Sequence, residues 1–65
     1  MITIGVYDNG FMGYVKSFDE ETGELLITSN IEEAKSDFSS FDDACGTIDS
    51  FYSIPNMKFT FVVLD

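Results

Sequence analysis

The stretch ITIGVYDNGFMGYVKSF, residues 2–18, decides the fold. Ile2, Ile4 and Val6 alternate with Thr3, Gly5 and Tyr7, the period-two pattern of a strand with one face on a core. Asp8-Asn9-Gly10 interrupts the alternation, and Asn-Gly is the favoured pair of a tight type I′ hairpin turn. FMGYVKSF, residues 11–18, then reads as the returning strand. With Asn9 and Gly10 as the loop, Val6 faces Gly13, Gly5 faces Tyr14 and Ile4 faces Val15.

Working outward, EETGE at residues 20–24 is a second turn signal. A type I turn with Gly23 in the left-handed region gives a three-residue loop flanked by Glu20 and Glu24. LLITS, residues 25–29, forms the third strand, with Phe18 opposite Leu26 and Ser17 opposite Ile27. Asn30-Ile31-Glu32-Glu33 matches a capping box and opens a short helical turn through about Lys35. The main helix starts near Ser39 or Ser40, each followed three residues later by an Asp. Phe41, Ala44, Cys45, Ile48, Phe51 and Tyr52 then recur at the spacing of one helical face, with Gly46 on the polar side. Ile54-Pro55-Asn56 ends this helix, because proline disfavours helical geometry at the residue before it. MKFTFVVL, residues 57–64, is a final strand, apolar on both faces.

The expectation is one α+β domain over residues 1–65. A three-stranded antiparallel meander, a short helical turn and a main helix on one sheet face are followed by a C-terminal strand completing a four-stranded sheet (βββααβ). A helical crossover places that last strand parallel to the first, in spatial order 3-2-1-4. A chain of this size buries only about 60% of the surface its unfolded form exposes. Seven Phe and three Tyr are nonetheless a folded protein's composition, not that of a disordered acidic tail.

Met1 runs directly into a strand-like segment, with no basic leader and no apolar run near the ~18 residues of a membrane span. The lone Cys45 cannot form an internal disulfide. Both point to the cytoplasm. With no His, the usual general base and the commonest transition-metal ligand are missing. Cys45 falls on the apolar helix face, where a small buried hydrophobe is the simpler account than a nucleophile. The segment Asp19–Asn30 lacks the start and the final Glu of a calcium-binding loop. The expectation is no enzyme, no cofactor and no metal.

The formal net charge is −9, from twelve carboxylates and three lysines, with no arginine. Such a chain does not bind nucleic acid or an anionic membrane directly, since phosphate contacts need Lys and Arg. Residues 1–18 are neutral overall, with Asp8 and Lys16, as are residues 50–65, with Lys58 and Asp65. All the net charge lies between: Asp19, Glu20, Glu21, Glu24, Glu32, Glu33, Asp37, Asp42, Asp43 and Asp49, against Lys35. Asp42 and Asp49 lie on one side of the helix, about 10 Å apart at ~1.5 Å rise per residue. Duplex DNA carries one charge per ~1.7 Å of axis, so carboxylates along one side imitate a phosphate backbone and suit a basic channel. Solvation is the competing account: acids in a first helical turn are favoured by its dipole, and high net charge keeps a small domain soluble.

A second candidate surface is the sheet itself. Ile2, Ile4, Val6, Val15, Leu25 and Ile27 share one face with Phe59, Phe61 and Val63, and this face accepts the helix. The opposite face then carries Tyr7, Met12, Tyr14, Phe18, Leu26, Val62 and Leu64. An apolar patch of this size marks an interface with a partner or with a second copy of the chain.

The string YVKSFDEETGELLITSNIEEAKSDFSSFDDA, residues 14–44, resembles small proteins encoded by phages and prophages. In these a hairpin strand ending T-x-[DN] leads into an E-A segment, then F-x-S and a helix. The matching elements here are Thr28-Ser29-Asn30, Glu33-Ala34 and Phe38-Ser39-Ser40. The resemblance implies a mobile-element origin. It also implies a class of function: many such acidic proteins inhibit host nucleic-acid enzymes, including anti-CRISPR proteins that occupy the DNA cleft of a Cas nuclease. The expected function is an inhibitor or modulator docking its acidic side on a basic, nucleic-acid-binding host protein. The alternative is an assembly module that self-associates through the aromatic sheet face.

Overall fold

The computed structural model describes all residues, 1–65. Its elements are β1 (Thr3–Tyr7), β2 (Phe11–Asp19), β3 (Glu24–Thr28), a 3-10 turn (Ile31–Glu33), α1 (Phe41–Tyr52) and β4 (Thr60–Leu64). The strands form one antiparallel sheet in the order β3-β2-β1-β4. The chain is α+β as the sequence indicates, with one α-helix rather than two: the segment capped by Asn30 is a three-residue 3-10 turn, finished at Ala34.

The strand order is the expected one, but β4 runs antiparallel to β1, not parallel. In a meander β1 and β3 finish at the same end of the sheet. An antiparallel β4 must begin at that same end, so the connection crosses the sheet an even number of times. A single helical crossing, an odd number, would have made β4 parallel. Besides α1, the connection includes a strap, residues 34–40, fixed against β2 by Lys35 N–H donating to Val15 O at 2.9 Å, and the segment 53–59 that leads into β4.

Each hairpin loop is one residue longer than the sequence indicates, three residues in place of two and four in place of three. Gly5 pairs with Tyr14 and Val6 with Gly13, as read from the sequence, but Tyr7 pairs with Phe11. The loop is therefore Asp8-Asn9-Gly10, with Asn9 at φ 60° and Gly10 at φ 138°, and Met12 is the extra residue of a β-bulge. The second loop is Glu20–Gly23, with Gly23 left-handed at φ 74° as expected. With four loop residues rather than three, Phe18 pairs with Leu25 and Ser17 with Leu26, one residue from the sequence register, and a second bulge at Lys16 then sets Val15 opposite Ile27.

That bulge changes which side chains share a face. Val15 and Phe18 both reach the helix side, and Phe18 meets Phe51 edge-on with ring centroids 4.6 Å apart. The core comprises Ile4, Val6, Val15, Ala44, Ile48, Phe51 and Phe61. Burying an aliphatic or aromatic side chain of this kind contributes about 1.5–3 kcal/mol. α1 buries only Ala44, Ile48 and Phe51. Phe41, Cys45 and Tyr52, read from the sequence as part of its core face, are exposed. Three positions, i, i+4 and i+7, complete the contact with the sheet, and the other three fall on the shoulder nearer β4. Tyr52 extends this shoulder to the sheet edge, its hydroxyl accepting from Phe61 N–H at 2.9 Å. β4 is shorter than the expected 57–64; Met57 and Phe59 pack against the core from outside the strand. No helix is long and apolar enough to cross a membrane.

Candidate functional site

The ten carboxylates of residues 19–49 are all exposed. Local hydrogen bonding sets the acidic β2–β3 turn. Asp19 Oδ1 accepts from Glu21 N–H at 2.9 Å, and Asp19 O accepts from Gly23 N–H at 2.8 Å. Asp side chains favour such turns because they bond their own backbone two residues on. The turn thus holds Glu20, Glu21 and Glu24 outward with no cation beside any of them.

The 3-10 turn and the strap after it carry the second group, and here Glu33 and Asp37 are compensated. Glu33 Oε1 lies 3.3 Å from Lys16 Nζ, and its other oxygen accepts from Asn30 Nδ2 at 3.2 Å. Asp37 accepts from Lys35 Nζ at 2.7 Å. That hydrogen bond, with the attraction of the Lys35 charge, holds the Asp37 carboxyl below the ordinary aspartate range. Glu20, Glu33 and Asp37 border one open depression together with Lys16, Lys35 and Thr47. Two of the three lysines therefore sit among these acids, leaving a mixed rather than a purely negative surface.

The helix divides its own acids. Ser40 is the N-cap, its hydroxyl accepting from Asp43 N–H at 3.1 Å, and Asp43 returns the contact by accepting from Ser39 N–H at 2.9 Å. Asp43 is thus engaged in the reciprocal cap that starts α1. Asp42 and Asp49 project from the face opposite the core. At 3.6 residues per turn Asp49 points about 160° round the axis from Thr47, away from the depression. The ten acids therefore form three groups rather than one surface: the turn, the strap and the outer helix face.

The second candidate surface is the sheet face away from α1, which no other element covers. Leu26 is 46% exposed and Val62 43%. Tyr7, Phe11 and Tyr14 form a row on it, with centroid separations of 5.4 and 5.2 Å, edge to face. Tyr7 and Leu64 close over Gly5, where a Cβ would meet Leu64 Cδ1 at 2.8 Å and Tyr7 Cε1 at 3.1 Å. Tyr7, Tyr14, Leu26, Val62 and Leu64 lie where the sequence pattern puts them. Met12 is exposed in its bulge. Phe18 does not belong to this face: the Lys16 bulge turns it into the core. Phe11 takes a place in the aromatic row that alternation from an unbulged hairpin had denied it.

The arrangement offers two kinds of surface, charged and apolar. Comparison with protein-family models, with curated proteins and with solved structures gave no match.

Proposed function

We propose that this chain is a small acidic inhibitor or modulator of the kind phages encode, docking on a basic, nucleic-acid-binding host protein such as a Cas nuclease. The observation that carries the reading is the unpaired charge. Of the ten exposed carboxylates, Glu33 and Asp37 are matched by lysines and Asp43 is engaged in a helix cap. Asp19, Glu20, Glu21, Glu24, Glu32, Asp42 and Asp49 face water with no cationic partner. A solvated face needs no such separation of sign, whereas a partner lined with Lys and Arg supplies the missing countercharge and is steered in by the field. Proton transfer and covalent chemistry have no part in this function.

The test is capture from host lysate at low ionic strength, elution with salt, and identification of what elutes. Binding should fall at least tenfold as salt rises from about 50 to about 300 mM, where the Debye length shrinks to roughly 6 Å. Two variant sets locate the surface: Glu20→Gln with Glu21→Gln and Glu24→Gln, and Asp42→Asn with Asp49→Asn. Asp43 is left intact, because its loss would weaken the helix itself. Affinity that barely responds to salt and to both sets would remove charge-led docking. A second reading, self-association through the outer sheet face, is favoured by the uncovered Phe11, Leu26 and Val62. It requires a concentration-dependent mass that Leu26→Lys abolishes.

A further inference from the structure

The two edges of the sheet are protected unequally. β3 is the edge on one side, and it carries Glu24 with Glu20 and Glu21 in the adjoining turn. Charged side chains of this kind deter another strand from pairing. β4 is the edge on the other side, and TFVVL, residues 60–64, has no charge at all. Its backbone makes no hydrogen bond outside the ladder with β1 except one: Phe61 N–H donates to the Tyr52 hydroxyl at 2.9 Å. An amide that meets Tyr52 rather than β1 points to the free side of the sheet. The Phe61 and Val63 backbone groups, two residues apart on an antiparallel strand, therefore share that free side.

We infer that β4 is a latent strand-pairing edge for a second copy of this chain, and that the Tyr52 hydroxyl holds it closed. An antiparallel pair about a two-fold axis at Val62 sets Phe61 against Val63 of the second copy, and the reverse, joining the outward groups. In that register residues 60–64 of the two copies meet with no charge on either strand. At each end Asp65 of one copy faces Phe59 of the other, one position from Lys58, which has no carboxylate partner in the monomer, so opposite signs fall at both ends of the pair. The unpaired acids of the β2–β3 turn lie beyond β1 and β2, roughly 14 Å from the edge at ~4.8 Å per strand. That exceeds the ~8 Å screening length at physiological salt, so they oppose the pairing weakly. Tyr52 is 49% exposed and stacks on Phe61 only at its edge, 5.5 Å between centroids, so its hydroxyl can leave the amide without uncovering the core.

Sedimentation velocity over a concentration series decides the matter, with the intact chain and three variants. Tyr52→Phe keeps the ring and removes the guard; its dimer dissociation constant should be about tenfold lower than that of the parent chain. Adding Val63→Pro to Tyr52→Phe deletes an amide that faces away from β1, and should return the protein to a monomer with its circular dichroism preserved. If the proline variant unfolds, Val62→Lys in its place sets like charges opposite each other at the two-fold axis and should have the same effect. Leu26→Lys, on the outer sheet face, should leave the Tyr52→Phe dimer intact. The inference is overturned if Tyr52→Phe sediments as the parent does at every concentration. It is equally overturned if the dimer survives the edge variants or is lost with Leu26→Lys.

Discussion

Replacing Phe18 by alanine tests the Lys16 bulge, because the bulge alone moves this side chain from the outer face of the sheet to the core. Phe18 is half-buried, packed against the core and edge-on to Phe51 at 4.6 Å. Truncating a fully buried Phe costs about 3–5 kcal/mol, and an aromatic pair adds about 0.5–1.5 kcal/mol beyond area. Scaled for partial exposure, Phe18→Ala should cost about 3 kcal/mol. Leu26→Ala, on the outer face and 46% exposed, should cost about 1 kcal/mol or less. A domain of this length has only about 3–10 kcal/mol in total. In urea, with a slope near ~1 kcal/mol/M for so small a protein, the Phe18 variant should lose about 3 M of midpoint and the Leu26 variant about 1 M at most. Equilibrium unfolding followed by far-UV circular dichroism reads both. In the unbulged register Phe18 and Leu26 would oppose each other on the outer face and respond alike. Equal midpoints for the two variants would refute the bulge and the face assignment with it.

Gly46→Ala should raise stability by about 0.5–1 kcal/mol, since Gly46 lies on the exposed side of α1 with nothing near its Cβ position. In a thermal melt this is a gain of roughly 3–6 °C. Gly13→Ala should do the opposite, by 2 kcal/mol or more on the order-of-magnitude scale of backbone strain and overpacking. Gly13 sits at φ +147°, and an added Cβ would lie 2.7 Å from Thr28 O. A melt unchanged by that substitution would contradict the β2–β3 approach. Asp37 should titrate below a free aspartate in carboxyl NMR, and Lys35→Met should return it to the ordinary range. Because the folded carboxyl is the stronger acid, the contribution of the pair is present above the unfolded-state value and lost as pH falls through the lowered one.

The local signals were legible. Asn9-Gly10 and Gly23 mark the hairpins, Asn30 and Ser40 mark the helical starts, and alternation in residues 2–6 marks the core face of β1. Each depends on neighbours a few positions away. The bulges were not legible, because an extra residue such as Met12 or Lys16 leaves a plausible alternation on either side of it. Phe18 was misplaced for that reason. Periodicity in α1 likewise marks every apolar residue on one half of the helix, whereas the sheet covers only the width of Ala44, Ile48 and Phe51. The direction of β4 depends on how many times the chain crosses the sheet, and the segments 34–40 and 53–59, which have no periodicity, leave that number open. The charge map shows the same division. The confinement of the net charge to residues 19–49 can be read directly, but Lys16 reaches Glu33 across 17 positions only because the strap lies along β2.

β1 is flanked by strands from opposite ends of the chain, and the order in which it gains them governs how the protein folds. Its hairpin with β2 closes over three loop residues, whereas pairing Tyr7 with Thr60 encloses more than fifty. Loop-closure entropy grows by about 0.6 kcal/mol per doubling of length, so the second pairing starts roughly 2.5 kcal/mol behind the first. The meander therefore assembles early and waits, with Ile4 and Val6 on an edge that has no guard, until β4 arrives. The crowded cell meets this chain at its most adhesive during that interval, and the speed of β4 docking sets how long the interval lasts.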